Sequence, residues 1–463
     1  MEVSNKVKSQ YHQNSIHKNI VLFFPDMDLT INNTNINYES MKLKESLLDA
    51  DNIEFVGCIA SVFRITLNGI NQNIKGQKIQ VSVHTDQTED EPVRVFNGIV
   101  DSAVKQSNKQ DKEIIAYDEL YTKGNIEVSS WYNSLDFPIS LKDLRDSLFE
   151  YIGITQEEKE LPNDSVLISK QYDPKSLQAL SVIKAVCQIN GAFGIINRDG
   201  NFEYRILGRI SNPYPSMYLF PSNTLFPANP SAAASAVERI AGEVQAENFS
   251  FYKKVDYEEY EVKPVDKLTI RQSENDAGVT YGAGTNNYII QGNMFTYGLS
   301  ESTLREVAAN IYPNVRGFSY HPFTSENNGL PFLECGKDAV SYTMIDYENS
   351  TNDNIAYNQQ EFYILNRELT GIQALRDSYG ANGEEYQTEF VTDLQTQIDI
   401  IKMNSQNDIH RMMEDYTYDK DTIDMMVQSG GGTGDFKVIS VKSVPSSYES
   451  NALYVVQGEV FVQ

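Results

Sequence analysis

Cysteine is scarce in this 463-residue chain. Cys58, Cys187 and Cys335 are odd in number and far apart, which excludes a disulfide framework and any cysteine-based metal spacing. They read as buried or incidental thiols of a protein made in a reducing compartment. Tryptophan occurs once, at Trp131, and histidine five times, at His12, His17, His84, His321 and His410, with no spacing that catalysis or metal binding uses. No run approaches the roughly 18 apolar residues that cross a bilayer, and no apolar stretch precedes residue 20, so neither a membrane segment nor a secretion signal is expected. Positive charge is short as well. With 38 basic against 64 acidic residues the formal charge is −26, a field that repels phosphate and opposes non-specific nucleic-acid binding.

Familiar catalytic signatures are missing too: there is no H-E-x-x-H helix, G-x-S-x-G elbow, P-loop or papain-type pairing. Carboxylates are abundant but uninformative. The run 414–424 lacks the glycine and the terminal glutamate of a calcium loop, and "DYENSTNDN" at 346–354 reads as a polar loop. "NNT" at 32–34 matches a glycosylation acceptor, which carries no weight without secretion. Trp131, in "SSWYNSLDFPIS", reads as a core or interface residue before a sugar platform. No catalytic, cofactor-binding or metal-ligating residue is assigned, and no cofactor is expected.

What is present is a β-leaning composition, 40% hydrophobic and 11% aromatic with 28 tyrosines, on a chain long enough for about three domains. Residues 20–121 alternate with period two: "FRITLN" sets Phe63, Ile65 and Leu67 against Arg64, Thr66 and Asn68, and "KIQVSVHT" repeats the pattern. About six strands are expected there, after a flexible N-terminal arm. Between 123 and 212 the period changes. Ser140 and Asp143 form a capping box ahead of Leu141, Leu144, Leu148 and Ile152, with Gly153 as a left-handed cap. A second helix is expected from Asp173-Pro174 to Gly191, followed by a hairpin turning at Asp199-Gly200.

Five of fifteen prolines fall within 213–230 and mark a Pro/Ala-rich crossover over 213–244. A second β segment covers 245–375, interrupted by a short helix carrying Leu304, Val307, Ala308 and Ile311 before Pro313. Over 376–428 the pattern turns heptad-like. Val391, Leu394, Ile398 and Ile401, then Ile409, Met412, Tyr416, Ile423 and Met426, form the seam of an imperfect coiled coil, weakly favouring more than two strands. "SGGGTGD" breaks it, and 429–463 reads as a Gly-rich joint with a small strand pair or triplet around a turn.

Together "FRITLNG", "GQKIQVSVHT" and "VRVFNGIVDSAV", with "FLECGKDAVSYTMIDY" and "YILNRELTGIQALRDSYGANGEEY", resemble the baseplate hub family of tailed bacteriophages, which includes the N-terminal part of tail-associated lysins and prophage tail endopeptidase-like proteins. The resemblance spans roughly residues 20–385, and "ILNRELTGIQALRDSY" is its most specific stretch. It implies a mainly β fold with an α+β insertion: tube-like β-barrel domains at 1–122 and 245–375, an α+β domain at 123–212, a C-terminal coiled coil and a small β tip. It also implies a homotrimeric ring in the virion tail tip, assembled from protein made in the bacterial host cytoplasm. The ring would adapt a sixfold tube to a threefold tip and conduct or gate DNA during ejection. Its implied partners are the distal tail protein and tail tube above, a tape-measure protein inside, and tip, fibre or receptor-binding proteins below, without specific nucleic-acid recognition or a membrane segment. Two other readings remain open: a host-surface adhesin acting through the C-terminal module, and a cell-wall endopeptidase, for which no catalytic motif is present.

Overall fold

Strict alternation of apolar and polar residues yields strands with two unlike faces, and eleven of the 24 described strands form one sheet. The structure is a computed structural model that describes residues 3–13, 16–48, 57–108, 110–170, 174, 176–211, 243–249, 251–272, 276–316, 319–351, 354–385, 437–441 and 452–456. Residues 1–393 form one unit and 394–463 another.

The N-terminal segment is not a free arm. Ser4 caps α1 (Asn5–Tyr11) by accepting from the Val7 amide, and Val7 and Tyr11 are buried, Tyr11 edge-on to Phe332 at 6.4 Å. Lys6 pairs with Asp90 at 3.1 Å. Seven strands follow: β1 (Lys18–Phe24), β2 (Leu29–Asn32), β3 (Lys42–Ser46), β4 (Val62–Asn68), β5 (Lys78–Thr85), β6 (Val93–Lys105) and β7 (Asp111–Tyr117). Phe63, Ile65 and Leu67 are buried and Arg64 and Asn68 exposed, as the alternation requires.

The α+β insertion opens with α2 (Glu119–Lys123) and α3 (Ser129–Ser134), which carries Trp131. β8 (Ile139–Ser140) leads into α4 (Leu141–Ile152), capped by Ser140 at one end and by left-handed Gly153 at the other, and pairs with β9 (Leu167–Ile168). Helix α5 spans Ala179–Asn190, so it begins five residues after Pro174 rather than at it. Its N-cap, Gln178, makes no side-chain cap bond, and its buried Val182, Ile183, Val186 and Cys187 hold it through packing. The hairpin of β10 (Phe193–Ile196) and β11 (Phe202–Arg205) turns at left-handed Gly200.

The second β segment divides its strands between bodies. β12 (Arg209–Ser211) and β13 (Glu243–Phe249) run parallel, and β13 runs parallel to β19 (Ala339–Thr351), which forms an antiparallel hairpin with β20 (Asn354–Tyr363). The stretch 346–354, expected as a polar loop, is therefore mostly the outer part of this hairpin. β14 (Lys254–Tyr257) pairs with β18 (Phe323–Asn328). Between them, β15 (Lys267–Arg271), β16 (Val279–Gly282) and β17 (Asn287–Gln291) form a three-stranded sheet beside α6 (Glu301–Val315). This helix runs through Pro313 instead of ending before it. Asn314 donates to the Asn190 carbonyl at 2.9 Å and Asn293 to that of Ala185 at 2.9 Å, so this subdomain rests on α5 and thus on the insertion.

β21 (Asn366–Thr370) and β22 (Arg376–Ala381) complete the large sheet, whose order is β14-β18-β22-β21-β3-β4-β7-β6-β5-β1-β2, antiparallel throughout. Residues 376–381, expected to open the coiled-coil segment, are thus a strand of the second β segment, because their alternation pairs them with β18 and β21. The two β segments are thus joined edge to edge through β3 and β21. In the second unit, β23 (Lys437–Val441) and β24 (Ala452–Val456) pair in parallel, not as a hairpin. The heptad seam from Val391 to Met426 lies outside the described residues. Among those described, no helix is long and apolar enough to cross a membrane.

Candidate functional site: the seam between the sheet halves

Strands β3 and β21 meet with Leu43 opposite Leu369 and Glu45 opposite Arg367. The alternation that buries Leu43 and Leu369 carries Glu45 and Arg367 into the same interior. Arg367 is 0% exposed, and all five of its N–H donors are used. Nε and Nη2 grip Asp377 of β22 at 2.9 and 2.8 Å in a fork, and Nη1 reaches Glu45 at 3.1 Å, 322 residues away in sequence. The remaining two donors serve the carbonyls of Leu330, at 3.0 Å, and Leu333. Asp377 also accepts from the Tyr379 hydroxyl at 2.8 Å and the Leu330 amide at 3.2 Å. Burial alone would lower the Arg367 basicity; the adjoining Asp377 and Glu45 carboxylates reverse this and hold the guanidinium well above its ordinary range.

Two more arginines converge on the same loop, residues 330–338, from the insertion. Arg198 donates to the carbonyls of Pro331 and Leu333, and Arg205 to that of Cys335. Arg205 also bridges Glu203 at 3.0 Å and Glu334 at 2.5 Å. Burial pushes the Glu334 carboxyl up, but Arg198 and Arg205 outweigh it and hold the group well below the usual carboxylate range. The loop turns at Gly336, whose φ is +68°; a Cβ there would lie 2.2 Å from Leu47 Cδ1. Hence one loop is tied to the first β segment, the insertion and the second β segment by buried charge.

Nothing in this network offers a nucleophile or an acid and base facing a shared opening. Its chemistry is that of a rigid clamp. Among the described residues no group of three His, Cys, Asp or Glu could hold a metal ion.

The opposite face of the seam is polar. One row across the strands reads Lys254, Glu326, Ser378, Glu368 and Lys44, each directly opposite the next. The row lines a shallow concavity of about 430 Å³. Glu368 pairs with Lys42 at 2.6 Å and Lys44 at 3.4 Å. Arg64 and Arg376 lie in the neighbouring row and Glu113 and Asp111 farther along β7, so the face mixes both signs despite the acidity of the chain.

The individually noted residues have ordinary settings. Trp131 is 5% exposed and donates to Ser147 Oγ at 3.0 Å, a core residue. His12 pairs with Glu247 at 3.0 Å and His17 with Asp86 at 2.9 Å, while His84 is buried beside the Thr85 carbonyl and His321 contacts the Tyr260 carbonyl. All three cysteines are free and buried. The fold brings Cys58 and Cys187 to 3.6 Å, where burial pushes the Cys187 thiol up. The arginine seam itself was missed from sequence. Its signal is parity: Arg367 shares a strand face with Leu369, and Glu45 with Leu43 and Leu47.

No protein-family model and no curated protein matches the chain. Solved structures similar to it include a tail protein from Neisseria meningitidis MC58, with a TM-score of 0.44 and 10% identity over 80% of this chain and 98% of that one. The 43 kDa tail protein of prophage MuSo2 from Shewanella oneidensis aligns with a TM-score of 0.44 and 11% identity over 79% and 98%. Prophage tail protein gp18 from Listeria monocytogenes EGD-e aligns with a TM-score of 0.43 and 11% identity over 83% and 99%. All three of these similar structures are tail proteins, two of them from prophages.

Proposed function

We propose that this chain is a structural baseplate hub of a phage tail, three copies of which form a ring that joins a sixfold tail tube to a threefold tip and conducts or gates DNA. The observation that carries the reading is the β3–β21 seam, where one polypeptide supplies two sheet halves already joined edge to edge. Three such chains offer six halves around one axis. Eleven strands span about 50 Å at a spacing of ~4.8 Å, so three sheets in a ring enclose a circle about 50 Å across at the backbone and about 40 Å between inward side chains, wide enough for a DNA duplex. The polar face of the seam pairs Lys42 and Lys44 with Glu368 and sets Lys254 opposite Glu326, so part of its positive charge is neutralised in place and holds a polyanion less tightly than bare cations would. The buried arginine clamp fits a part that must keep its angle under load.

In this reading 1–122 and 245–375 are the tube-like halves, 123–212 is the insertion, and the heptad seam from Val391 to Met426 continues the threefold axis toward a β tip. The role is structural, and the protein resides in the virion beneath the distal tail protein and tube, around the tape-measure protein and above tip or fibre proteins. Light scattering of the full chain at micromolar concentration should give three times the 52.4 kDa monomer mass, and images of the particle should show a through-going bore. A stable monomer, or an assembly without a bore, refutes the proposal.

A further inference from the structure

The β19–β20 hairpin outruns the sheet that holds its base. Among the described residues, β13 pairs with β19 from Ala339 to Tyr342; beyond that point β19 has β20 as its neighbour, and β20 lies at the sheet edge. At the base, Tyr342 and Phe362 are fully buried. Farther out, Ile345 is 43% exposed and lies directly opposite Tyr357, 48% exposed. Two residues on along each strand come Tyr347, 81% exposed, and Ile355, 55% exposed. Four large apolar side chains therefore stand in solvent on the outer part of a two-stranded ribbon, whose regular register ends at Asp346 and Ala356. Such a ribbon is marginally stable on its own in water, and an exposed edge is usually blunted by lysine or proline. β20, reading NIAYNQQEFY, carries neither.

We propose that this ribbon face is a contact between copies of this chain. The inference deepens the hub reading and rests on it for the expectation that like copies meet. Side chains of this size present roughly 400 Å² of apolar surface per copy, so two apposed faces exclude on the order of 800 Å². That is about half of a standard interface, and the polar edge of β20 can supply the remainder. A second copy brings the same apolar face and the same open strand edge. Because each chain carries a charge of −26, copies repel at long range, and short-range apolar and strand-edge contacts must overcome that repulsion. Added salt should therefore strengthen the association, whereas it would weaken docking of a basic partner.

The test uses the full-length protein in sedimentation velocity and light scattering across micromolar concentrations at low and high salt. It compares the natural sequence with a variant carrying Ile345→Thr, Tyr347→Ser, Ile355→Thr and Tyr357→Ser. The natural protein should assemble, more tightly at high salt, and the variant should dissociate about 100-fold more readily, with the same thermal midpoint as the natural protein at a dilution where both are monomeric. Should the fourfold variant misfold, Tyr347→Arg alone is read in the same way, since that side chain is largely in solvent. Equal assembly of variant and natural protein overturns the ribbon contact, and so does assembly that salt weakens. A natural protein that stays monomeric overturns it as well, leaving the ribbon to a different partner. Stoichiometry separates the two readings: a trimer indifferent to the substitutions removes the ribbon contact and keeps the hub, whereas a dimer abolished by them keeps the contact and removes the hub.

Discussion

Replacing Arg367 with methionine tests the seam directly. The substitution keeps much of the side-chain volume and removes five donors at once, leaving Asp377, itself 0% exposed, with the Tyr379 hydroxyl and the Leu330 amide as its remaining partners. Removing one member of a buried ion pair costs about 3–5 kcal/mol, because the surviving charge is stranded away from water. Residual donors to Asp377 argue for the lower end of that range, and the freed Leu330 and Leu333 carbonyls for the upper. A loss of this size corresponds to a fall in thermal midpoint of about 4–6 °C for a unit of this length. Calorimetry reads the global effect, and hydrogen exchange should locate it, with the amides of β3 and β21 losing protection first. Pairing Arg367→Met with Asp377→Asn should recover part of the loss, since a neutral amide at that position can still accept from Tyr379 and Leu330. The reasoning is refuted if Arg367→Met melts within about 1 °C of the natural protein, or if the double variant is no better than the single one.

Two other positions give sharp expectations. Asp118 is 2% exposed and accepts from the Ser61 amide at 2.6 Å and the Leu120 amide at 2.9 Å; burial outweighs these donors and pushes its pKa up to about 7. The folded state therefore holds this proton more tightly than the unfolded chain does. The stabilisation is full below the ordinary aspartate value of about 3.9 and is lost as the pH rises toward 7, so the thermal midpoint should fall between pH 4 and pH 7 with a slope that Asp118→Asn flattens. At Gly336, alanine would have to adopt a left-handed backbone and would meet Leu47, so Gly336→Ala should cost about 1–3 kcal/mol, read as a lower denaturation midpoint, whereas alanine at exposed Gly76, with nothing within 4 Å, should cost less.

Local rules made much of this architecture legible. Ser140 and Gly153 announced both ends of α4, and the alternation around Phe63 and Ile79 announced strands with the correct faces. Rules of the same kind misplaced the start of α5, because Pro174 is only permitted at a helix start while packing of Val182 and Ile183 decides where the helix forms. By sequence Pro313 reads as a stop, yet α6 absorbs it near its C-terminal end, where the packing of Ile311 and Val315 against the end of α5 persists. Pairing of β3 with β21 left no local trace, since register between segments this distant depends on tertiary fit. The parity of Glu45 and Arg367 was the available hint: a charge on an apolar face requires a partner somewhere, although the sequence does not say where.

The order of the strands along the chain also bears on synthesis. β3 leaves the ribosome early, but its neighbour β21 lies more than 300 residues later, and at 5–20 residues per second that interval is roughly 15–60 s. Until then β3 is a bare border that any passing strand could join, and the exposed Lys44 on it makes such unwanted adhesion less favourable. Nascent chains cut short before residue 366 should therefore aggregate more readily than finished ones, and closure of the large sheet waits on the late arrival of a strand at a place kept open for it.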